Sequence, residues 1–197
     1  MFVKICGLTD EVAVDAAVAA GADAIGFVFA ESAREISPGR ARALCRDVPG
    51  TTLRVAVMHH PSPARYAEVV ETFEPDWVQT DAEDFAALPD SAPPMPLPVY
   101  REDGTEMLTE FPARVLFEGR LSGSGRTADW GEARRIAERT ELILAGGLNV
   151  GNVADAVAAV RPFGVDVSSG VEFERGRKDP AMIKEFVARV RELELEQ

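Results

Sequence analysis

No apolar run in the 197 residues approaches the roughly 20 that a helix needs to cross a bilayer, so no membrane partner is expected. The N-terminus shows no basic segment followed by an apolar core and a small-residue cleavage site. Secretion is therefore not expected, and a cytoplasmic protein is. Cysteine is nearly absent. Cys6 and Cys45 are the only two, too few for a disulfide scaffold or a Cys-rich zinc centre, which fits a reducing compartment. Positive charge is also in deficit, with 21 Lys and Arg against 33 Asp and Glu and a formal net charge of -12. Bulk electrostatics then oppose binding to nucleic acid, and an anionic ligand has to be held by a local pocket. Repeats and low-complexity tracts are missing too. The one linker-like segment, LPDSAPPMPLP at 88–98, has structured patterns on both sides and reads as a loop before the fifth strand. Residues 1–197 are accordingly expected to form one domain with one core.

What is present is alternation. Short apolar, β-branched runs at 2–5, 24–29, 53–58, 77–79, 97–100, 115–117, 142–144 and 164–167 read as strands, several too apolar for a sheet with one wet face. Helical stretches lie between them. Residues 11–20 follow a Thr9/Asp10 cap and stop at Gly21, Ser37-Pro38 supplies a cap with proline in the first turn, and 149–160 carries apolar residues at helical spacing. Eight such units of about 25 residues predict an α/β fold, a single (β/α)8 TIM barrel near its lower size limit; an open doubly wound sheet is the competing fold.

In such a barrel the chemistry sits on the loops leaving the C-terminal ends of the strands. Cys6 occupies the first of these, in VKICG. Two readings stand for it: a base or nucleophile, if nearby donors favour the thiolate, or a small buried residue closing the barrel mouth. Cys45 lies on a helix side shared with Ala41 and Leu44 and reads as packing. AGGLN after the seventh strand and VSSGVE after the eighth predict a phosphate site, because Gly146, Gly147, Ser168, Ser169 and Gly170 lack bulk that would block an anion from backbone N–H groups. LSGSGRTADW at 121–130 lacks the spacing and Lys-Ser/Thr pair of a nucleotide-binding loop and reads as a mobile active-site loop. His59 and His60 follow the third strand with no metal-ligand partner at suggestive spacing, and read as loop residues.

Taken together, VKICGLTD, GADAIGFVFAESAREISP, SGSGRTADW, LAGGLN, RPFGVDVSSGVE and GRKD resemble, in order and spacing, the phosphoribosylanthranilate isomerase family over the whole chain. The resemblance implies an Amadori rearrangement of N-(5-phosphoribosyl)anthranilate in tryptophan biosynthesis, on a phosphorylated small-molecule substrate and with no metal or organic cofactor. It implies that Cys6 is the base that removes the C2′ proton, and that the residue ending the sixth strand is the acid that opens the ring. The family has aspartate there; this chain reads VLFEG and offers Glu118. After the fourth strand the family's QLHG is replaced by Val78-Gln79-Thr80-Asp81, where Asp81 is either a second carboxyl at the mouth or a solvated loop residue. Arg34 matches the arginine that meets the anthranilate carboxylate, a task suited to a guanidinium fork. Asp166 either bonds a sugar hydroxyl or braces the phosphate loop. A monomer is expected in preference to a homodimer. Two alternatives remain: the sister histidine-pathway isomerase, which would carry an aspartate base and a longer chain, and a repurposed phosphosugar-binding barrel whose acid has been lost.

Overall fold

The apolar, β-branched runs become eight parallel strands in the computed structural model, which describes residues 1–89, 94–102, 110–119 and 127–195. They are β1 (Phe2–Cys6), β2 (Ala24–Val28), β3 (Leu53–Val57), β4 (Trp77–Asp81), β5 (Met95–Arg101), β6 (Arg114–Glu118), β7 (Glu141–Leu144) and β8 (Gly164–Val167). Each pairs with the next, and β8 returns to β1 with Phe2 opposite Gly164 and Lys4 opposite Asp166, so the sheet is a closed barrel and not an open one. Three strands run further than their apolar cores: β4 includes Asp81, β5 begins inside the proline-rich stretch, and β6 ends on Glu118.

Among the described residues, helices follow six of the strands: α1 (Glu11–Ala19), α2 (Pro38–Leu44), α3 (Pro63–Phe73), α4 (Trp130–Ala137), α5 (Val153–Val160) and α6 (Pro180–Leu195). Short polar side chains start them, as the orphan N–H groups of a first turn require. Asp10 accepts from the Ala13 N–H at 2.9 Å, and Ser37 from that of Arg40 at 3.2 Å. The expected helix over 149–160 begins only at Val153, because Asn149 and Asn152 fold the preceding turn on themselves. After β4 stands a 3₁₀ turn, Ala82–Ala87, in place of an α-helix. A small antiparallel hairpin, β9 (Glu172–Glu174) with β10 (Arg177–Lys178), precedes α6 and was not foreseen from the sequence. Of LSGSGRTADW, residues 121–126 lie outside the described residues, as do 90–93 of the proline-rich stretch.

Outward side chains such as Ile5, Phe27, Phe117 and Leu142 pack under the helices against Val14, Phe73, Ile136 and Phe186. Inward ones, Ala24, Val55, Trp77, Leu97, Leu116 and Ile143, fill the barrel and make it a solid plug. Cys45 caps α2 and is half-buried against the core; burial pushes its thiol up to about 12. Among the described residues no helix is long and apolar enough to cross a membrane.

Candidate active site

The strand period decides which side chains meet at the mouth. Counting by twos from the inward Lys4, Trp77, Leu97 and Leu116 reaches Cys6, Asp81, Arg101 and Glu118. With Asp166 of β8 they line a cavity of about 450 Å³ at the C-terminal ends of the strands, a size that suits a small molecule. Arg34 and the loop residues Gly146, Gly147, Ser168 and Ser169 complete the wall on the β1–β8 side.

Cys6 is a free, buried thiol beside the fully buried Lys4. Lys4 donates to Asp166 Oδ1 at 2.9 Å, and its charge acts on the neighbouring Cys6. Burial pushes the Cys6 thiol up; the Lys4 ammonium pulls it down, Asp166 raises it, and Lys178 lowers it, with burial prevailing. Burial also works against the charge on Lys4, but Asp166 and Cys6 more than offset it, so Lys4 is held above its ordinary value. A buried ion pair is seldom the most stable filling for a core. Here it places a fixed positive charge next to the thiol, which is where a thiolate needs one.

Across the mouth, Arg101 joins two carboxylates. Its Nη2 lies 3.0 Å from Glu118 Oε1, and its Nη1 contacts Asp81 Oδ1. Asp81 is 5% exposed, so it is a wall residue and not a solvated loop residue; the strand continues through it and turns its side chain inward. His59 and His60 do sit in a loop, yet Asp81 at the end of β4 and Asp84 in the 3₁₀ turn after it come up to them, so they have partners that sequence spacing did not display.

The Arg34 guanidinium is already gripped. Its Nε and Nη2 bond the two oxygens of Glu172 at 2.7 and 2.9 Å, and Lys178 Nζ reaches the same carboxylate at 2.7 Å. Burial drives Glu172 up, but hydrogen bonds from Arg34 and Lys178 outweigh it and hold the carboxyl down at about 2. The hairpin delivers both partners, since β9 and β10 pair Lys178 with Glu172. Space for Arg34 comes from the glycine of VKICG: Gly7 has φ +76°, and a Cβ there would stand 2.5 Å from Arg34 Cδ. Lys178 also donates to the Ser168 carbonyl and hydroxyl at 2.9 and 3.1 Å, which ties the same cluster to the loop after β8.

In the two anion-loop candidates, Gly146 and Gly147 take positive φ on the cavity wall, and Asn152 Nδ2 fixes the turn by donating to the Gly147 carbonyl at 2.9 Å. Gly170 differs from the rest. A Cβ on it would lie 1.9 Å from the Leu148 carbonyl oxygen, so its missing side chain lets the two loops touch and does not widen the approach for an anion. Sequence reasoning missed Lys4, Arg101, Glu172 and Lys178. Three of them lie inside the motifs singled out, VKICG, VSSGVE and GRKD, but a charged residue inside a motif carries no sign of its partner.

A closed parallel barrel whose mouth gathers a thiol, a carboxylate pair and two loops suited to an anion defines a (β/α)8-barrel enzyme for a small anionic substrate. Residues 3–189 match the family of N-(5'-phosphoribosyl)anthranilate (PRA) isomerase, and the chain belongs to that family. It is 40% identical over 191 residues to N-(5'-phosphoribosyl)anthranilate isomerase of Streptococcus gordonii, covering 96% of this chain and 97% of that one. Among solved structures, it superposes on TrpF from Jonesia denitrificans with a TM-score of 0.81, 32% identity and full coverage of both chains. A phosphoribosyl anthranilate isomerase in complex with reduced 1-(o-carboxyphenylamino)-1-deoxyribulose 5-phosphate gives a TM-score of 0.78 at 29% identity, covering 98% of this chain and 99% of that one.

Proposed function

We propose that Cys6 and Glu118 carry the two proton transfers by which this isomerase converts N-(5'-phosphoribosyl)anthranilate into 1-(2-carboxyphenylamino)-1-deoxyribulose 5-phosphate. Glu118 protonates the furanose oxygen, the bond from that oxygen to C1′ breaks, and the anilino nitrogen forms a Schiff base at C1′. The Cys6 thiolate then takes the proton from C2′, giving an enolamine that tautomerises to the ketone. Arg34 meets the anthranilate carboxylate through Nη1, the nitrogen that Glu172 leaves unengaged. Asp166 holds Lys4 beside the thiol and accepts from a sugar hydroxyl. The phosphate rests on N–H groups of Gly146, Gly147, Ser168, Ser169 and Gly170.

One observation carries the reading: the thiol and the carboxyl open onto the same cavity from different strands. Its test is conversion of freshly made substrate, followed by loss of its fluorescence. Cys6→Ser should abolish turnover while leaving product affinity nearly intact, because a hydroxyl is a far poorer base than a thiolate at neutral pH. Retention of more than about a tenth of the parent rate would remove Cys6 as the base, and an inactive parent would favour a repurposed binding barrel. The chain is read as one catalytic unit, monomeric and cytoplasmic. Light scattering that gave twice the chain mass would reverse that part.

A further inference from the structure

We propose that His59, His60 and Asp81 form a binding site for a divalent transition-metal ion of the Zn²⁺ class on the rim of the barrel mouth. The Nε2 atoms of His59 and His60 lie 3.6 and 3.5 Å from Asp81 Oδ2, and the three donor atoms lie within 4.8 Å of one another. Those separations are too long for hydrogen bonds. They are close to the roughly 3.3–3.4 Å edge of a tetrahedron whose metal–ligand bonds are about 2.0–2.1 Å. The approach costs backbone strain. His60 is held at φ +43°, a conformation rare for a residue with a side chain, and this turns two adjacent imidazoles to one side with ring centroids 4.1 Å apart.

The outer partners suit ligation. His60 Nδ1 lies 2.8 Å from Asp84 Oδ1, the carboxylate–histidine contact that puts the proton on Nδ1 and leaves the Nε2 lone pair facing Asp81. Asp84 is held in turn by the Thr80 hydroxyl at 2.5 Å and the His60 N–H at 3.2 Å. On Asp81, Oδ1 contacts Arg101. Oδ2 is shielded from solvent, lacks a hydrogen-bond donor among the described residues, and faces the imidazoles. Two imidazoles and one carboxylate favour Zn²⁺, Co²⁺, Ni²⁺ or Cu²⁺ over Mg²⁺ and Ca²⁺, which prefer oxygen. Since His59 and Asp81 both line the cavity, a fourth ligand position opens into it.

The test uses the full chain without a histidine tag, in equilibrium dialysis against Zn²⁺ and in Co²⁺ absorption titration. One ion per chain is expected, with the intense visible bands of a four-coordinate Co²⁺ site and no displacement by excess Mg²⁺. The His59→Ala/His60→Ala variant should lose this binding and keep its circular dichroism, and Asp84→Ala should weaken it about 10–100-fold by freeing the His60 ring. Cys45→Ser should leave it unchanged. If the double variant fails to fold, Asp81→Asn keeps the shape, removes the anionic ligand and should lower affinity at least tenfold. A parent protein that binds no more Zn²⁺ than these variants do would overturn the proposal.

Discussion

Cys6 sits between two opposed influences, burial that favours the thiol and the Lys4 ammonium that favours the thiolate. Because burial prevails, the folded thiol titrates above its ordinary value, and the base form is scarce at neutral pH. The rate should therefore climb with pH, close to tenfold per unit across about pH 6–8, without a plateau near the ordinary thiol value of about 8.5. A profile flat over that range would show that no thiol limits the reaction. Glu118→Gln should lower kcat by about 10²–10⁴, the range for one positioned proton donor, whereas Glu118→Asp should retain activity because the carboxyl remains. If Glu118→Gln were silent and Asp81→Asn crippling, the acid would be the partner on the other side of Arg101. The place of Cys6 on the cavity wall was legible because it ends an apolar run, and those of Arg34 and Glu118 through the family resemblance of the motifs around them. Lys4, Arg101, Glu172 and Lys178 were not, since their roles come from contacts between distant positions. Lys4 reaches Asp166 across 162 residues and Arg34 reaches Glu172 across 138.

At the scale of elements, the hairpin of β9 and β10 holds Arg34 as much as it shapes the rim. Glu172 is its centre: the carboxyl is 4% exposed, and its pKa of about 2 against an ordinary 4.5 corresponds to about 3 kcal/mol of stability. The folded value is the lower one. The contribution is thus complete above the unfolded value of 4.5 and disappears as pH falls toward 2. Glu172→Gln should lower the unfolding free energy by about that amount in urea titrations at pH 7, with a smaller penalty at about pH 3. An equal loss at both pH values would mean that charge plays no part. The eight strands and their order were readable because buried parallel strands are long enough to show composition. A hairpin of three and two residues carries no such signal. The polar end of β4 was open to a loop reading because a barrel's inward positions are apolar in the plug but charged at the mouth, and polarity alone does not separate mouth from solvent. The start of α5 was read too early for a related reason: Asn149 and Asn152 favour capping and turn bonds over a regular first turn.

Over the whole molecule, the net charge of -12 opposes the approach of a substrate carrying a phosphate and a carboxylate. At the mouth Lys4, Arg34, Lys178 and Arg101 are each matched to a carboxylate, and Arg175 on the cavity wall offsets only a small part of the total. Added salt screens repulsion over about 10 Å at 0.1 M, so kcat/KM should rise as ionic strength increases from about 10 to 100 mM, with kcat unchanged. A fall would point to net attraction at the mouth. The seam between β1 and β8 carries a consequence of another kind. It joins the first strand to the last, with Lys4 opposite Asp166, and α6 locks it from outside as Arg191 donates to the Gly21 carbonyl at 2.9 Å. Contacts at such separation pay the largest loop-closure entropy and are slow to form. Cys6 and Ser168 stand on opposite edges of that seam. A ribosome-bound chain that has not yet released its last two elements can fold several βα units and still lack a mouth. In refolding, return of turnover reports ring closure itself, later than any signal from helix content.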